Sequence, residues 1–149
     1  IAFPCNTAHY FYDDVQKSIG VPVVHMMREV AAYLKGKVQV AGLLATTGTL
    51  KAGLYEQAMS EAGTSVVVPD SEGLNKVMDA IYLVKAGKID QARSLILEQA
   101  RNLEKAGAGA VIAGCTEIPL ILHNGDLGIE VIDATDVLAK ACVRRVLEG

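Results

Sequence analysis

Three absences bound this 149-residue sequence before any motif is read. No apolar segment approaches the roughly 18 uninterrupted residues that a membrane-crossing helix needs, and the first residues carry no basic n-region of a secretory leader. No run of Lys or Arg and no interleaving of basic with aromatic residues occurs. With a net charge of −3 the electrostatic footprint of a nucleic-acid binder is therefore missing. The cysteines, Cys5, Cys115 and Cys142, are odd in number and without CxxC spacing, which excludes a disulfide framework and a zinc finger and suggests no metal site. Low-complexity segments are also absent. The expectation is a cytoplasmic globular protein with a small-molecule ligand, of one domain or one and a part. The chain opens on Ile1, in what reads as the last residues of a strand, so we expect an upstream part of the same protein.

What is present is an alternation of short apolar segments with amphipathic ones. Residues 38–45 (VQVAGLLA), 65–68 (SVVV), 110–113 and 129–132 have strand length and near-continuous apolar character, the pattern of strands buried on both faces. Residues 54–62, 70–85 and 90–105 have apolar positions at helical spacing. Leu74, Val77 and Ile81 form one stripe, and Ala92, Leu95, Ile96, Ala100 and Leu103 another. Asp90 is placed to cap the last of these, and Asp133 to cap a closing helix over residues 134–147. Upstream, residues 6–19 read as a helix capped by Asn6 or Thr7, 21–24 as extended, and 26–34 as a short helix. Residues 46–49 (TTGT) read as a hydroxyl-rich loop, a candidate anion cradle.

This order predicts an α/β fold, a parallel four-stranded sheet flanked by helices, with right-handed crossovers and spatial order 2-1-3-4. The polar break at residues 35–37 separates a first piece with one strand from a second with four. We therefore expect residues 37–133 to form one α/β domain. Residues 1–36 and 134–149 then belong to a second, similar domain, the closing helix leaving the sheet to pack on the first piece.

The chemistry sits at two strand tips. AVIAGCTEIPL, residues 110–120, ends its apolar run at Gly114, Cys115, Thr116 and Glu117, and residues 1–9 repeat the idea with Pro4, Cys5, Asn6, Thr7 and His9. Ligands of parallel sheets bind outside the carboxyl ends of strands, so the two tips are candidates to face one crevice. A cysteine between a strand end and a helix start has its thiolate stabilised by free N–H groups and the helix dipole, which predicts a lowered pKa for Cys5 and Cys115. An isolated free cysteine is more often a small core hydrophobe; two in matching contexts favour chemistry. Cys142, inside a helix beside Ala141 and Val143, reads as structural. Asn6, Thr7, Thr47 and Thr116 are donors that can meet a carboxylate, although each alone reads equally as a turn or cap residue. Glu117 suits either an ammonium group or a helix start, and Lys76 either an acidic substrate or solvent. His9 lies one helical turn beyond Cys5; His25 and His123 are isolated.

PCNTAH at residues 4–9, GLLATTGTLKAGLYE at 42–56 and GCTEIPLIL at 114–122 together resemble the aspartate/glutamate racemase superfamily, and most closely its aspartate racemases. The resemblance covers nearly the whole chain with three motifs in order. It implies a racemase of two similar α/β domains that needs no cofactor and interconverts L- and D-aspartate, with Cys5 and Cys115 as paired catalytic thiols, and a homodimer. Asn6, Thr7, Thr46, Thr47, Thr116 and Glu117 match family positions around the site. Members also carry a glycine-rich stretch before the first motif. The chemistry agrees, because racemisation needs a base on one face of the α-carbon and an acid on the other, and two thiols in opposite protonation states supply both. Competing readings are a broad-specificity amino-acid racemase, a maleate-type isomerase, and a binding module without activity.

Overall fold

A computed structural model describes residues 1–148; Gly149, the end of the 134–149 segment, lies outside the described residues. Its centre is a parallel four-stranded sheet of β1 (Val40–Ala45), β2 (Ser65–Val67), β3 (Ala110–Gly114) and β4 (Glu130–Asp133), in the order β2-β1-β3-β4 that the sequence predicts. β1 and β3 are apolar along their length because helices cover both faces. The period of two then sorts side chains between two cores. Ala41, Leu43, Ala45, Ile112 and Ile132 face α2 (Met26–Leu34), α4 (Leu54–Ala62) and α7 (Ala134–Glu148). Leu44, Val111, Ala113 and Val131 face α5 (Ser71–Lys85) and α6 (Ile89–Lys105). Leu43, Leu44 and Ile112 are fully buried, each contributing about 1.5–3 kcal/mol relative to exposure.

Register carries the site. Ala45 is level with Gly114, so the next residues of the two strands, Thr46 and Cys115, leave the sheet side by side. Gly114 has to be small there: a Cβ would come within 2.8 Å of Leu43 Cδ1 and 3.1 Å of the Leu44 carbonyl oxygen.

Several expectations are corrected. Residues 6–19 are not one helix but a 3-10 turn, Thr7–Phe11, followed by α1, Tyr12–Ser18. The cause is His9, which is drawn inward with its ring clamped between Cys5 and Met26. Asn6 precedes the turn without capping it, because its side chain is engaged with Tyr55. The expected loop at 46–49 is the start of a short helix, α3 (Thr47–Lys51), whose Thr49 N–H donates to Thr46 Oγ1 at 3.2 Å. Asp90 is not a cap: the turn through Gly87 (φ 73°) is tight enough for α6 to begin at Ile89, with Asp90 in its first turn. Asp133 does cap α7, its Oδ1 accepting from the Thr135 and Asp136 N–H groups.

Residues 1–3 and 21–24 join no ladder of the main sheet. Ile1 donates to the Pro22 carbonyl and accepts from Val24 N–H, both at 2.8 Å, the alternation of a parallel pair. α7 packs on α2 through Glu29, which accepts from Arg144 at 2.7 Å and Arg145 at 2.8 Å. Contrary to expectation it does not leave the sheet, since its Leu138 and Ala141 share a core with Ile112 and Ile132. Cys142 packs at the margin of that core. Cys142→Ala should cost about 1 kcal/mol or less, read as the shift in a urea unfolding curve.

Candidate active site

The first tip is built around a buried histidine. His9 Nε2 accepts from Met26 N–H at 3.1 Å, which leaves Nδ1 to carry the proton and donate to the Cys5 carbonyl at 2.8 Å. Burial lowers the His9 pKa and keeps this neutral tautomer, so the ring fixes the Cys5 backbone while the Cys5 side of the loop stays exposed. Asn6 follows, only 4% exposed, its Oδ1 accepting from the fully buried Tyr55 hydroxyl at 2.7 Å. Its Nδ2 is buried with no hydrogen-bond partner. Thr7 then closes a triangle of hydroxyls, at 3.1 Å from Thr46 Oγ1 and 2.8 Å from Thr49 Oγ1, with Thr46 and Thr49 3.1 Å apart. This triangle ties the first tip to the end of β1.

At the second tip the Cys115 thiol donates to Glu117 Oε2 at 2.9 Å, and Thr116 Oγ1 donates to the same oxygen at 3.0 Å. Lys85 Nζ lies 3.4 Å from the other oxygen, Oε1. Here the expected lowering of the thiol pKa is overturned for Cys115. Burial first, and then the hydrogen bond to Glu117, push it up to about 12. The chain beyond Cys115 makes only a short 3-10 turn, Ile118–Leu120, so no helix dipole of useful length offsets the nearby carboxylate. For Glu117, burial works to raise the pKa. Hydrogen bonds from Cys115, Thr116 and its own N–H, with the Lys85 charge, outweigh burial and leave it lowered.

The structure thus gathers Asn6, Thr7, Thr46, Cys115, Thr116 and Glu117 at the carboxyl end of the sheet, with Cys5 on the loop that carries Asn6 and Thr7. Thr47 is the first residue of α3, beside the triangle but outside its hydrogen bonds. Lys76 is not brought in: its ammonium is held by Glu72 at 3.2 Å and Glu98 at 3.0 Å, between α5 and α6. The cation at the site is Lys85, nine residues and about 13 Å of helix further on. β2 pairs only with the first half of β1, so the chain leaves the sheet low and α5 climbs toward the tips before α6 returns to the start of β3. Two helices between consecutive strands carry that signal in the sequence. Thr49 and Tyr55 were also missed, although both lie inside the GLLATTGTLKAGLYE segment. A groove of about 670 Å³ along β4, lined by Tyr33, Glu130, Asp136, Lys140 and Arg144, involves none of the cysteines.

The histidines give an acid limit to stability. The His25 pKa is lowered to about 4, by burial first and then by His9 and Arg28, and His9 is lowered as well. Both rings accept backbone N–H bonds that only a neutral ring can take. Unfolded histidines bind protons near pH 6.5, so below that the unfolded chain binds more protons than the folded one. Stability should fall as pH drops from about 6.5 and level off once His25 protonates in the fold, near pH 4. Urea midpoints measured across this range should decline, and less steeply in His25→Gln.

Fold and site define a doubly covered parallel α/β protein with thiols, hydroxyls and an ammonium at its strand tips. The chain belongs to the Asp/Glu/Hydantoin racemase family, whose model matches residues 1–142. It is 28% identical over 151 aligned residues to the broad specificity amino-acid racemase RacX of Bacillus subtilis (strain 168), covering 99% of this chain and 64% of that protein. Among solved structures, an aspartate racemase homologue from Pyrococcus horikoshii OT3 superposes with a TM-score of 0.85 at 32% identity, covering 97% of this chain and 65% of the other. The aspartate racemase of Picrophilus torridus gives 0.82 at 28% identity, covering 97% and 61%. The chain therefore spans a little under two thirds of the length of these relatives. Among the described residues no helix is long and apolar enough to cross a membrane.

Proposed function

We propose that this chain carries the paired-thiol site of an amino-acid racemase acting on aspartate without pyridoxal phosphate or a metal, with Cys5 and Cys115 on opposite faces of the α-carbon. The observation that carries the reading is the Thr7–Thr46–Thr49 triangle, which joins the Cys5 loop to the strand end beside Cys115. In each direction one sulfur, as thiolate, takes the α-proton, and the other, as thiol, returns a proton to the opposite face. The electron pair left on carbon spreads into the α-carboxylate. The hydroxyl triangle and the unpartnered Asn6 Nδ2 are suited to receive that carboxylate, and a buried donor without an acceptor is costly unless a ligand supplies one. Lys85 suits the side-chain carboxylate of an acidic substrate, with Thr47 and Thr116 at the margin. On this reading residues 1–36 and the closing helix are the share of a first lobe, and the complete protein is a cytoplasmic homodimer.

The similarity to RacX favours a second reading, broad specificity over neutral amino acids. Incubation in deuterium oxide decides between them. L-Aspartate should yield D-aspartate carrying deuterium at the α-carbon, with no pyridoxal phosphate or metal added. A strict pyridoxal requirement, or no exchange with any amino acid, would sink the racemase reading; faster exchange of neutral amino acids would select the second. Lys85→Met should raise KM for aspartate by about tenfold or more, the loss of one charge-assisted contact, while leaving KM for neutral substrates nearly unchanged.

A further inference from the structure

The geometry at the second tip also says how Cys115 changes its protonation state, an inference that rests on the paired-thiol reading above. We propose that Glu117 is the proton partner of Cys115: its carboxylate takes the Sγ–H proton when Cys115 must act as base, so that Glu117 is a positioning residue acting through the sulfur rather than a substrate contact. The thiol already donates to Oε2 at 2.9 Å in the unliganded molecule, so the proton has only to move along an existing hydrogen bond. The backbone holds the pair together, since Ile118 N–H donates to the Cys115 carbonyl at 3.1 Å and closes the turn between them. Among the described residues no carboxylate takes such a bond from Cys5, which is exposed and can exchange its proton with water.

The step balances. The Cys115 thiol and the Glu117 carboxylate become a thiolate and a carboxylic acid. The thiolate takes the α-proton, forming a new S–H bond and leaving the C–H electron pair on the substrate, and the Cys5 thiol delivers its proton to the other face. Cys5 then regains a proton from solvent, and Glu117, whose side chain is 19% exposed, releases one. The charged groups facing Glu117 are Lys85 from α5 and, from its own turn, Cys115 with the Thr116 hydroxyl. The upward shift of the Cys115 thiol and the downward shift of Glu117 agree with a proton resting on sulfur before substrate arrives.

The substitution Glu117→Gln separates this role from its alternatives, because it removes the negative charge while keeping the shape. Cys115 should then ionise more easily. Its iodoacetamide labelling, followed by peptide mass from about pH 6 to about pH 11, should shift to lower pH by about one unit. Racemisation should nevertheless fall by about 100-fold or more, since the acceptor of the proton is gone. Glu117→Asp, which keeps an acid, should retain more of the rate than Glu117→Gln. A rate for Glu117→Gln that rises or stays within threefold of the parent, or a labelling profile that does not move, overturns the proposal. If the unsubstituted chain exchanges no α-proton at all, the racemase reading fails; the labelling shift then still decides whether Glu117 and Cys115 share a proton.

Discussion

Cys5→Ser and Cys115→Ser should each abolish racemisation, lowering the rate by at least about 10²–10⁴, the contribution of one positioned acid or base. Both losses are expected because each direction uses one sulfur as base and the other as acid, so neither enantiomer has a route that avoids either residue. Serine keeps the size of the side chain at the tip and removes only its acidity. What should survive is one-sided exchange: a lone thiolate can take and return the α-proton of a single enantiomer on its own face, carrying in deuterium without inversion. The two variants should therefore label opposite enantiomers, which identifies the face each sulfur serves. Cys142→Ala, on the α2 side of α7, should leave the rate unchanged. Substantial turnover by either serine variant would remove the paired-thiol mechanism.

The parts of this molecule legible in its sequence are those set by short-range pattern. β1 and β3 are recognisable because a parallel strand covered on both faces is apolar without alternation, and their order follows from the crossovers. The cysteine tips follow in turn, because Gly114 and Pro4 mark where the apolar runs stop. What was not legible depends on partners distant in sequence or on side-chain direction. Asn6 reads as a helix cap until Tyr55, 49 residues later, claims its oxygen. Lys76 and Lys85 are indistinguishable as lysines on one helix until the direction of α5 is known. The sign of the Cys115 shift turns on the direction of the Glu117 side chain, which places a carboxylate rather than open N–H groups against the sulfur.

Tyr55 is where stability and site meet, and its truncation should have the largest effect on folding. The side chain is fully buried in the core shared by β1, β3, α2 and α4, and its hydroxyl donates to Asn6 Oδ1 at 2.7 Å. Burial first, and then the nearby Asp133 and Cys115, keep the phenol protonated at any physiological pH, so it is a permanent donor. Tyr55→Ala should cost about 3–5 kcal/mol, the range for emptying a large aromatic site in a packed core. Tyr55→Phe isolates the hydroxyl: it keeps the packing but leaves the buried Asn6 without a partner on either side-chain atom, for a loss of about 1–3 kcal/mol. The same change frees the residue next to Cys5, so the rate should fall in Tyr55→Phe by more than its stability loss explains at temperatures where it remains folded. Adding Asn6→Ala should cost less in Tyr55→Phe than in the parent, because the orphaned amide is then removed. Urea unfolding of the four proteins in this cycle gives the coupling directly. Independent, additive losses would show that the Tyr55 hydroxyl does not hold the Cys5 loop.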